Sequence, residues 1–336
     1  MLTQGEVGDG TARGQGHSIV VVGTSAGGME ALTTLLAQLH KELPAAVFIV
    51  QHMSANSPGL ELVHRLQRVG TLTCEFGESG RRFEPGHVYI APPDHHMLVK
   101  NETILVTKGA RENRSRPSID PLFRSAAVAY GSRVIGVILT GQLDDGTSGL
   151  QAVARCGGLS VVQDPKDAAY PGMAQSALRH VKVDHCVPLA AMGSLLVKLV
   201  GLPAAEQKDP PPDIVLEAKI AERVLSDLGA VNALGHQVPF NCPDCGGVLW
   251  KVEDRPVRFR CHTGHAFTAS ELAGAQSDKI QETLWISLRM FEERKNLLQT
   301  MTDPTSRLFH SSAAERAKEA DLHIGRLRAI LLASEQ

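Results

Sequence analysis

The sequence predicts an α/β fold: a doubly wound, mostly parallel sheet with helices on both faces, interrupted by an antiparallel excursion and followed by a small Cys/His module and a helical hairpin. Three observations predict it. Short uninterrupted runs of β-branched and aliphatic residues recur through the first part of the chain, as in strands buried on both faces. Segments with apolar residues at helical spacing separate these runs. After Leu202 the alternation stops at a proline cluster, beyond which three of the six cysteines fall within twenty residues.

The elements follow in order. Ser18 to Val22 is the first apolar strand, Gly23 to Gly28 a glycine-rich break, and Met29 to Leu39 a helix. Ala46 to Val50 is a second buried strand, followed by a helix from Pro58 to Arg68 and a third strand from Leu72 to Phe76. Gly86 to Val106 reads as the excursion, two or three short strands joined by Pro92-Pro93-Asp94 and Lys100-Asn101. Val134 to Leu139, a helix over Ser148 to Arg155 and a strand at Leu159 to Val162 resume the parallel pattern. The predicted domains are a tail over 1–16, the doubly wound domain over 17–202, a proline-rich linker over 203–213 and a helical connector over 214–240. A zinc-ribbon-like module over 241–269 and a hairpin over 270–336 complete them, the hairpin turning at Asp303-Pro304. Within the connector, Ile214 to Leu228 reads as a helix.

Composition narrows the function. The 336 residues are 43% hydrophobic and 21% charged, the balance of an ordinary globular protein. A formal charge of −2 and 4% aromatics speak against a nucleic-acid partner, which would want a basic field and stacking surfaces. No window approaches the ~18 apolar residues of a membrane-spanning helix. Together with the glycine-rich start and thiol-type cysteine usage, this predicts a cytoplasmic protein with no membrane insertion.

Gly23-Thr24-Ser25-Ala26-Gly27 ends a buried strand and opens a helix. A sharp turn there lifts the serine hydroxyl, and the helix N-terminus offers free N–H groups where an oxyanion would form. A phosphate-binding loop uses the same geometry. Against that reading, Ser25 occupies the middle glycine position of a dinucleotide loop, and Gln51-His52 stands where the ribose-binding acid would be. A plain tight turn is the third possibility. A serine nucleophile needs a base, and His52 follows the second strand, at the same carboxyl edge of a parallel sheet. The alternative for His52 is a half-buried polar cap. Asp144 and Asp145 both follow the strand ending at Leu139; either could accept from His52 Nδ1–H, and both could instead cap the next helix.

These residues resemble the catalytic domain of the chemotaxis receptor glutamate methylesterases, the CheB family, from Val20 to about Val200. The matching pieces are Gly23 to Gly28, Gln51-His52-Met53, Pro85 to Pro92, Arg116 to Asp120, Val137 to Gly141 with Asp145-Gly146, and Gly172-Met173. The resemblance implies Ser25 as nucleophile, His52 as base and Asp145 as orienting acid, with no cofactor for catalysis. By position, the N–H of Ala26 and the loop at Gln142 become the oxyanion-hole candidates. It implies a serine carboxylic-ester hydrolase acting on γ-glutamyl methyl esters of methyl-accepting chemoreceptor cytoplasmic helices, or a related signalling protein, with glutamine deamidation as an added activity. Three departures bear on substrate choice. Relatives carry Ser-Thr where this chain has Ser25-Ala26, and a Met-Gly-Asn-Asp-like loop where it has Gln142-Leu143-Asp144-Asp145. After Gly172-Met173 they carry proline and a basic residue, where this chain has Ala174-Gln175. Seventeen residues before the first strand leave no room for the family's receiver domain, so control by phosphorylation in cis is not expected. The alternatives are a non-catalytic scaffold that keeps the fold for partner binding, and an esterase acting on small molecules.

Cys242-Pro-Asp-Cys245 and Cys261-His-Thr-Gly-His265, fifteen residues apart, have the spacing of a structural zinc site with Cys242, Cys245, Cys261 and His265 as ligands. His262, next to Cys261, has poorer reach. A redox cysteine pair and unliganded thiols are the competing readings. Four Lys/Arg against three Asp/Glu over 241–269 give this module no nucleic-acid signal. Cys74, Cys156 and Cys186 read as small core residues, and His95 and His96 point to opposite faces. Arg111, Arg114 and Arg116 read as a solvated basic loop, with acidic receptor helices as the functional alternative.

Overall fold

Residue-by-residue alternation builds the central sheet. In β1 (Ile19–Thr24), Ile19 and Val21 face one core while Val20 and Val22 face another, and all are buried. A strand buried on both faces needs helices on both sides, and the chain supplies them. The computed structural model describes residues 19–223, 228–252, 256–300 and 307–333; the predicted tail over 1–16 and the Asp303-Pro304 turn lie outside them.

After β1 come α1 (Gly28–Leu36), β2 (Ala46–Gln51), α2 (Leu60–Val69), β3 (Thr73–Phe76) and β4 (His87–Ile90). The hairpin β5 (His96–Lys100) and β6 (Thr103–Thr107) precedes α3 (Ile119–Tyr130), β7 (Val134–Ile138) and α4 (Thr147–Arg155). β8 (Leu159–Gln163), α5 (Gly172–His180), β9 (His185–Val187) and α6 (Leu189–Val200) complete the domain. The seven-stranded sheet runs β3-β4-β2-β1-β7-β8-β9, and every pairing in it is parallel. α3, α4 and α5 pack on one face and α1, α2 and α6 on the other.

The excursion is narrower than the sequence suggested. β4 pairs parallel with both β2 and β3, leaving β5 and β6 as the separate antiparallel hairpin. Val88, Tyr89 and Ile90 are buried in the sheet, and their shortness had grouped them with the proline-bounded turn that follows. Cys74 and Cys156 are buried as expected, whereas Cys186, on the edge strand β9, is exposed.

Beyond Leu202 the chain continues with α7 (Pro212–Arg223) and α8 (Leu228–Leu234). The helix predicted over Ile214 to Leu228 begins in α7, and its stretch 224–227 lies outside the described residues. A four-stranded antiparallel sheet follows: β10 (Gly235–Asn241), β11 (Val248–Val252), β12 (Arg258–Cys261) and β13 (Ala266–Thr268). Residues through Glu271 form one compact unit and those from Leu272 a second. The first therefore includes the ribbon. Ile214 of α7 enters the core beneath α3. A buried ionic cluster then fixes the ribbon: Arg258 forks onto Glu217 at 2.8 and 2.9 Å, while Arg260 and Arg124 both meet Glu112. Burial would raise the Glu217 carboxyl, but the Arg258 and Arg124 guanidiniums hold it far below the usual range. Removing one partner from such a cluster would leave a buried charge uncompensated, which is costly.

The second unit consists of most of α9 (Ala269–Thr300) together with α10 (Arg307–Ala333). Leu288, Ile324 and Leu331 form its small core, and Lys295–Asp321 and Arg328–Glu292 pair across the helices. Among the described residues no helix is long and apolar enough to cross a membrane.

Candidate active site

The carboxyl ends of β1, β2 and β7 bring three side chains to one rim. Thr24 is in register with Gln51, and Gly23 with Ile138. The ladder continues one step beyond the strands: His52 N–H donates to Thr24 O at 3.1 Å, and Ser25 N–H to Thr140 O at 3.0 Å. Ser25 and His52 are thus neighbours on adjacent strands, while the loop after β7 approaches from the other side of Ser25. His52 Nδ1 lies 3.1 Å from Ser25 Oγ, and His52 Nε2 lies 2.7 Å from Asp145 Oδ2.

The imidazole is turned opposite to the sequence expectation, which had Nδ1–H meeting the acid. Strand order explains it. Ser25 sits on the strand next to His52, so the nearer nitrogen, Nδ1, faces it, and the outer Nε2 reaches the acid beyond β7. Nε2–H donating to Asp145 leaves the Nδ1 lone pair for the serine proton.

The elbow has little room. A Cβ at Gly28 would overlap Gln51 Oε1 and Thr24 Oγ1. Gln51 Nε2 donates to Ser25 O and His52 O, both at 2.9 Å, tying the two turns together. Ser25 N–H is already paired, so Ala26, at the open mouth of α1, is the first amide after the serine that could receive an oxyanion. Gln142 stands exposed on the facing loop.

Asp145 is 2% exposed and heavily donated to. Ile119 N–H (2.7 Å), Ser118 Oγ–H (2.9 Å), Asn113 Nδ2–H (2.8 Å) and Gly146 N–H (2.9 Å) all point at its carboxylate. Burial works against its charge, but the His52 hydrogen bond and these donors bring its pKa down to about 2. Next to it, burial and the Asp145 charge push Asp120 up to about 7. Asp144 turns away from His52 and accepts from Thr268 Oγ1 of the ribbon at 3.1 Å. That hydroxyl also caps α9, accepting from Glu271 N–H at 3.2 Å. Burial, then the Asp144 charge, push the Glu271 carboxyl up to about 7. A groove of about 390 Å³ opens here, lined among others by Leu143, Asp144, Gly172, Arg179 and Val257.

Several of these partners escaped the sequence reading. Ser118 ahead of Ile119-Asp120-Pro121 is a helix N-terminus signal that would have revealed α3, and Thr268-x-x-Glu271 is a capping box. Nothing local marks Asn113. Of the basic loop, Arg116 is absorbed by Asp94 and Gly109 O. His96 is buried and neutral, kept so by burial, with Nε2–H donating to Ala110 O and Nδ1 accepting from Ser118 N–H.

Cys242 Sγ, Cys245 Sγ, Cys261 Sγ and a His265 ring nitrogen lie within 4.8 Å of one another. Cys245 and Cys261 Sγ are 3.7 Å apart, and Cys261 Sγ is 3.4 Å from His265 Nδ1. Zn–S bonds of ~2.3 Å and Zn–N bonds of ~2.0 Å in a tetrahedron give edges of about these lengths. The donor set therefore fits zinc in a closed site. His262 lies against Gly247, outside the set.

The chain resembles known proteins over its catalytic part. The family model described as CheB methylesterase matches residues 20–196. A provisionally assigned protein-glutamate methylesterase/protein-glutamine glutaminase of Leptospira interrogans is 39% identical over 184 residues, which cover 54% of this chain and 95% of that protein. The second such protein of Methanosarcina acetivorans is 38% identical over 195 residues, 55% of this chain and 54% of that one. Among solved structures, the CheB methylesterase catalytic domain of Thermotoga maritima matches with a TM-score of 0.52 and 35% identity, covering 55% of this chain and 98% of that one.

Proposed function

The chain belongs to the CheB methylesterase family, and from that premise we propose that it is a protein-glutamate methylesterase with a Ser25–His52–Asp145 triad. The observation that carries the reading is the continuous hydrogen-bond path from Ser25 Oγ through His52 to Asp145. His52 Nδ1 takes the Ser25 proton as Oγ attacks the γ-ester carbonyl of a glutamyl side chain. Asp145 keeps the ring oriented and stabilises the imidazolium. The oxyanion is received by N–H groups, with Ala26 and the Gln142 loop as candidates. Protonated by His52, methanol leaves and the acyl-enzyme remains; water, deprotonated by His52, releases the glutamate. On a glutamine the same steps release ammonia. The substrate is the cytoplasmic helical region of a methyl-accepting chemoreceptor or a related signalling protein, and the site of action is the cytoplasm.

Cys242, Cys245, Cys261 and His265 would hold a structural zinc, which when bound would supply a cross-link within the ribbon and no chemistry at the serine.

Methanol release from a methylated receptor tests the proposal. Wild-type protein should release it and Ser25→Ala should not, with a serine-directed phosphonate mapping to the Ser25 peptide. Wild-type protein that releases none and takes no label would favour a scaffold that keeps the fold for partner binding. Turnover of small soluble esters without receptor preference would favour a small-molecule esterase.

A further inference from the structure

The loop over 109–118 holds the acid end of the triad, and its two ends are fastened to the catalytic domain. Arg116 binds Asp94 Oδ1 at 2.6 and 2.9 Å, and His96 bridges Ala110 O and Ser118 N–H. Its middle is fastened to the ribbon. Asn113 N–H donates to Ala266 O at 2.8 Å and Ala266 N–H to Arg111 O at 3.3 Å, a parallel bridge about Glu112. Arg260 of β12 adds a bond to Glu112 Oε1 at 3.2 Å.

Asn113 is 4% exposed and has a left-handed backbone, φ 49°. Its amide nitrogen donates to Asp145 Oδ1 at 2.8 Å and to Asp120 Oδ2 at 2.9 Å. A primary amide is a neutral group with two donors on one atom, which suits it to lie between two carboxyl groups. Ala266 directly follows His265. The turn carrying that ligand is closed by Cys261 N–H to His265 O at 2.9 Å and by Arg260 Nη1 to Gly264 O at 3.0 Å. One short path therefore joins the Cys/His cluster to the carboxylate that orients His52.

Building on the triad reading above, we propose that Asn113 is a positioning residue for Asp145 and that the metal-bound ribbon, through Ala266, is the clamp that keeps Asn113 in place. The metal acts at a distance, by ordering the turn that bonds the loop. It touches neither substrate nor serine.

The test uses the full chain, a serine-directed phosphonate and the low-field proton resonance of the His52–Asp145 hydrogen bond. Asn113→Gly tolerates the left-handed backbone and removes only the amide. It should lower the maximal rate of Ser25 labelling by ~10²-fold, as expected for a misplaced catalytic group, leave the half-saturating phosphonate concentration unchanged, and broaden or shift the resonance. Stripping the metal with a chelator, verified by elemental analysis, should do the same, and zinc should reverse it. In Asn113→Gly, stripping should cause no further fall, because both act on one path. Unchanged labelling and resonance after stripping, or additive losses, would overturn the clamp. Loss of the central sheet's circular dichroism on stripping would also overturn it, reducing the metal to a plain stabiliser. Should Asn113→Gly fail to fold, the stripping arm decides. The resonance reports the clamp even in a chain that never labels, so failure of the esterase reading is told apart from failure of the clamp.

Discussion

Asp145 and Asp120 each occupy the N-terminus of the other's helix. Asp145, just ahead of α4, accepts from Ile119 N–H at 2.7 Å and Asp120 N–H at 3.3 Å, where α3 begins. Asp120, in the first turn of α3, accepts from Gly146 N–H at 3.1 Å and Gly149 N–H at 2.6 Å, where α4 begins. Helix N-termini favour negative charge, so the exchange gives each carboxyl a positive end to face. The two do not share the charge equally. His52 and the denser donor set keep Asp145 ionised, while burial and the Asp145 charge push Asp120 toward its neutral form. The charge is thus already fixed where an imidazolium would form.

Asp145→Asn is therefore expected to lower methanol release by ~10⁴-fold, because an amide cannot stabilise the imidazolium and favours the wrong tautomer. Asp144→Asn, whose acid bonds Thr268 and not His52, should cost less than about tenfold. Steady-state rates on a methylated receptor check the pair. Equal losses would undo the assignment of Asp145.

Gly28→Ala tests the elbow. The added methyl would overlap Gln51 Oε1 and Thr24 Oγ1, and such overpacking costs about 1–3 kcal/mol. Because Gln51 also carries Ser25 O and His52 O, labelling of Ser25 should fall more than stability does. Gln51→Ala removes one of the overlapping groups, so the double variant should be more stable than the sum of the two single changes predicts. Strict additivity in denaturant melts would argue against the overlap.

Ser25 and His52 were legible because each directly follows an uninterrupted apolar strand, and parallel strands end on one edge. The choice between Asp144 and Asp145 was not legible from spacing. It depends on α3, whose N-terminus donates to Asp145 through Ile119 and Asp120 N–H and of which the sequence shows only the Arg116 to Asp120 motif. Ring orientation depends on strand order, which the sequence does not state. Arg258, Arg260, Glu217 and Glu112 look like solvated surface in a sequence, and burial alone reveals them as the ribbon's dock. Asn113 joins groups 7 and 32 positions away, and no local pattern encodes such a contact.

The metal ligands can be separated by substitution. His265→Ala should lose bound zinc, since its Nδ1 lies 3.4 Å from Cys261 Sγ. His262→Ala, outside the cluster, should keep one zinc per chain. Elemental analysis of the purified variants decides. Retention by the His265 variant and loss by the His262 variant would exchange their roles.

Glu217→Gln should loosen the ribbon's dock. It leaves Arg258 and Arg124 buried beside a neutral group, and breaking a buried pair this way costs about 3–5 kcal/mol. At about 2–4 °C per kcal/mol for a unit of this size, the melting temperature should drop by roughly 10 °C. A drop of only a degree or two would mean that water reaches the cluster.

Glu271 predicts a pH dependence. Burial, and then the Asp144 charge, raise its carboxyl from 4.5 to about 7, so between those values the folded chain holds a proton that the unfolded chain has released. Stability linked to this group is full below about pH 4.5, falls as pH rises and levels off above about 7. The shift corresponds to a loss on the order of 1–3 kcal/mol across the window. Gln at this position cannot titrate and stays neutral. Glu271→Gln should therefore match wild type near pH 4.5 and exceed it by that amount at pH 8, measured by urea unfolding at both values. The sign is specific, because a Glu271 held ionised by a cation would make the same substitution destabilising at pH 8. Parallel pH profiles for the two proteins would show that this carboxyl stays in contact with water.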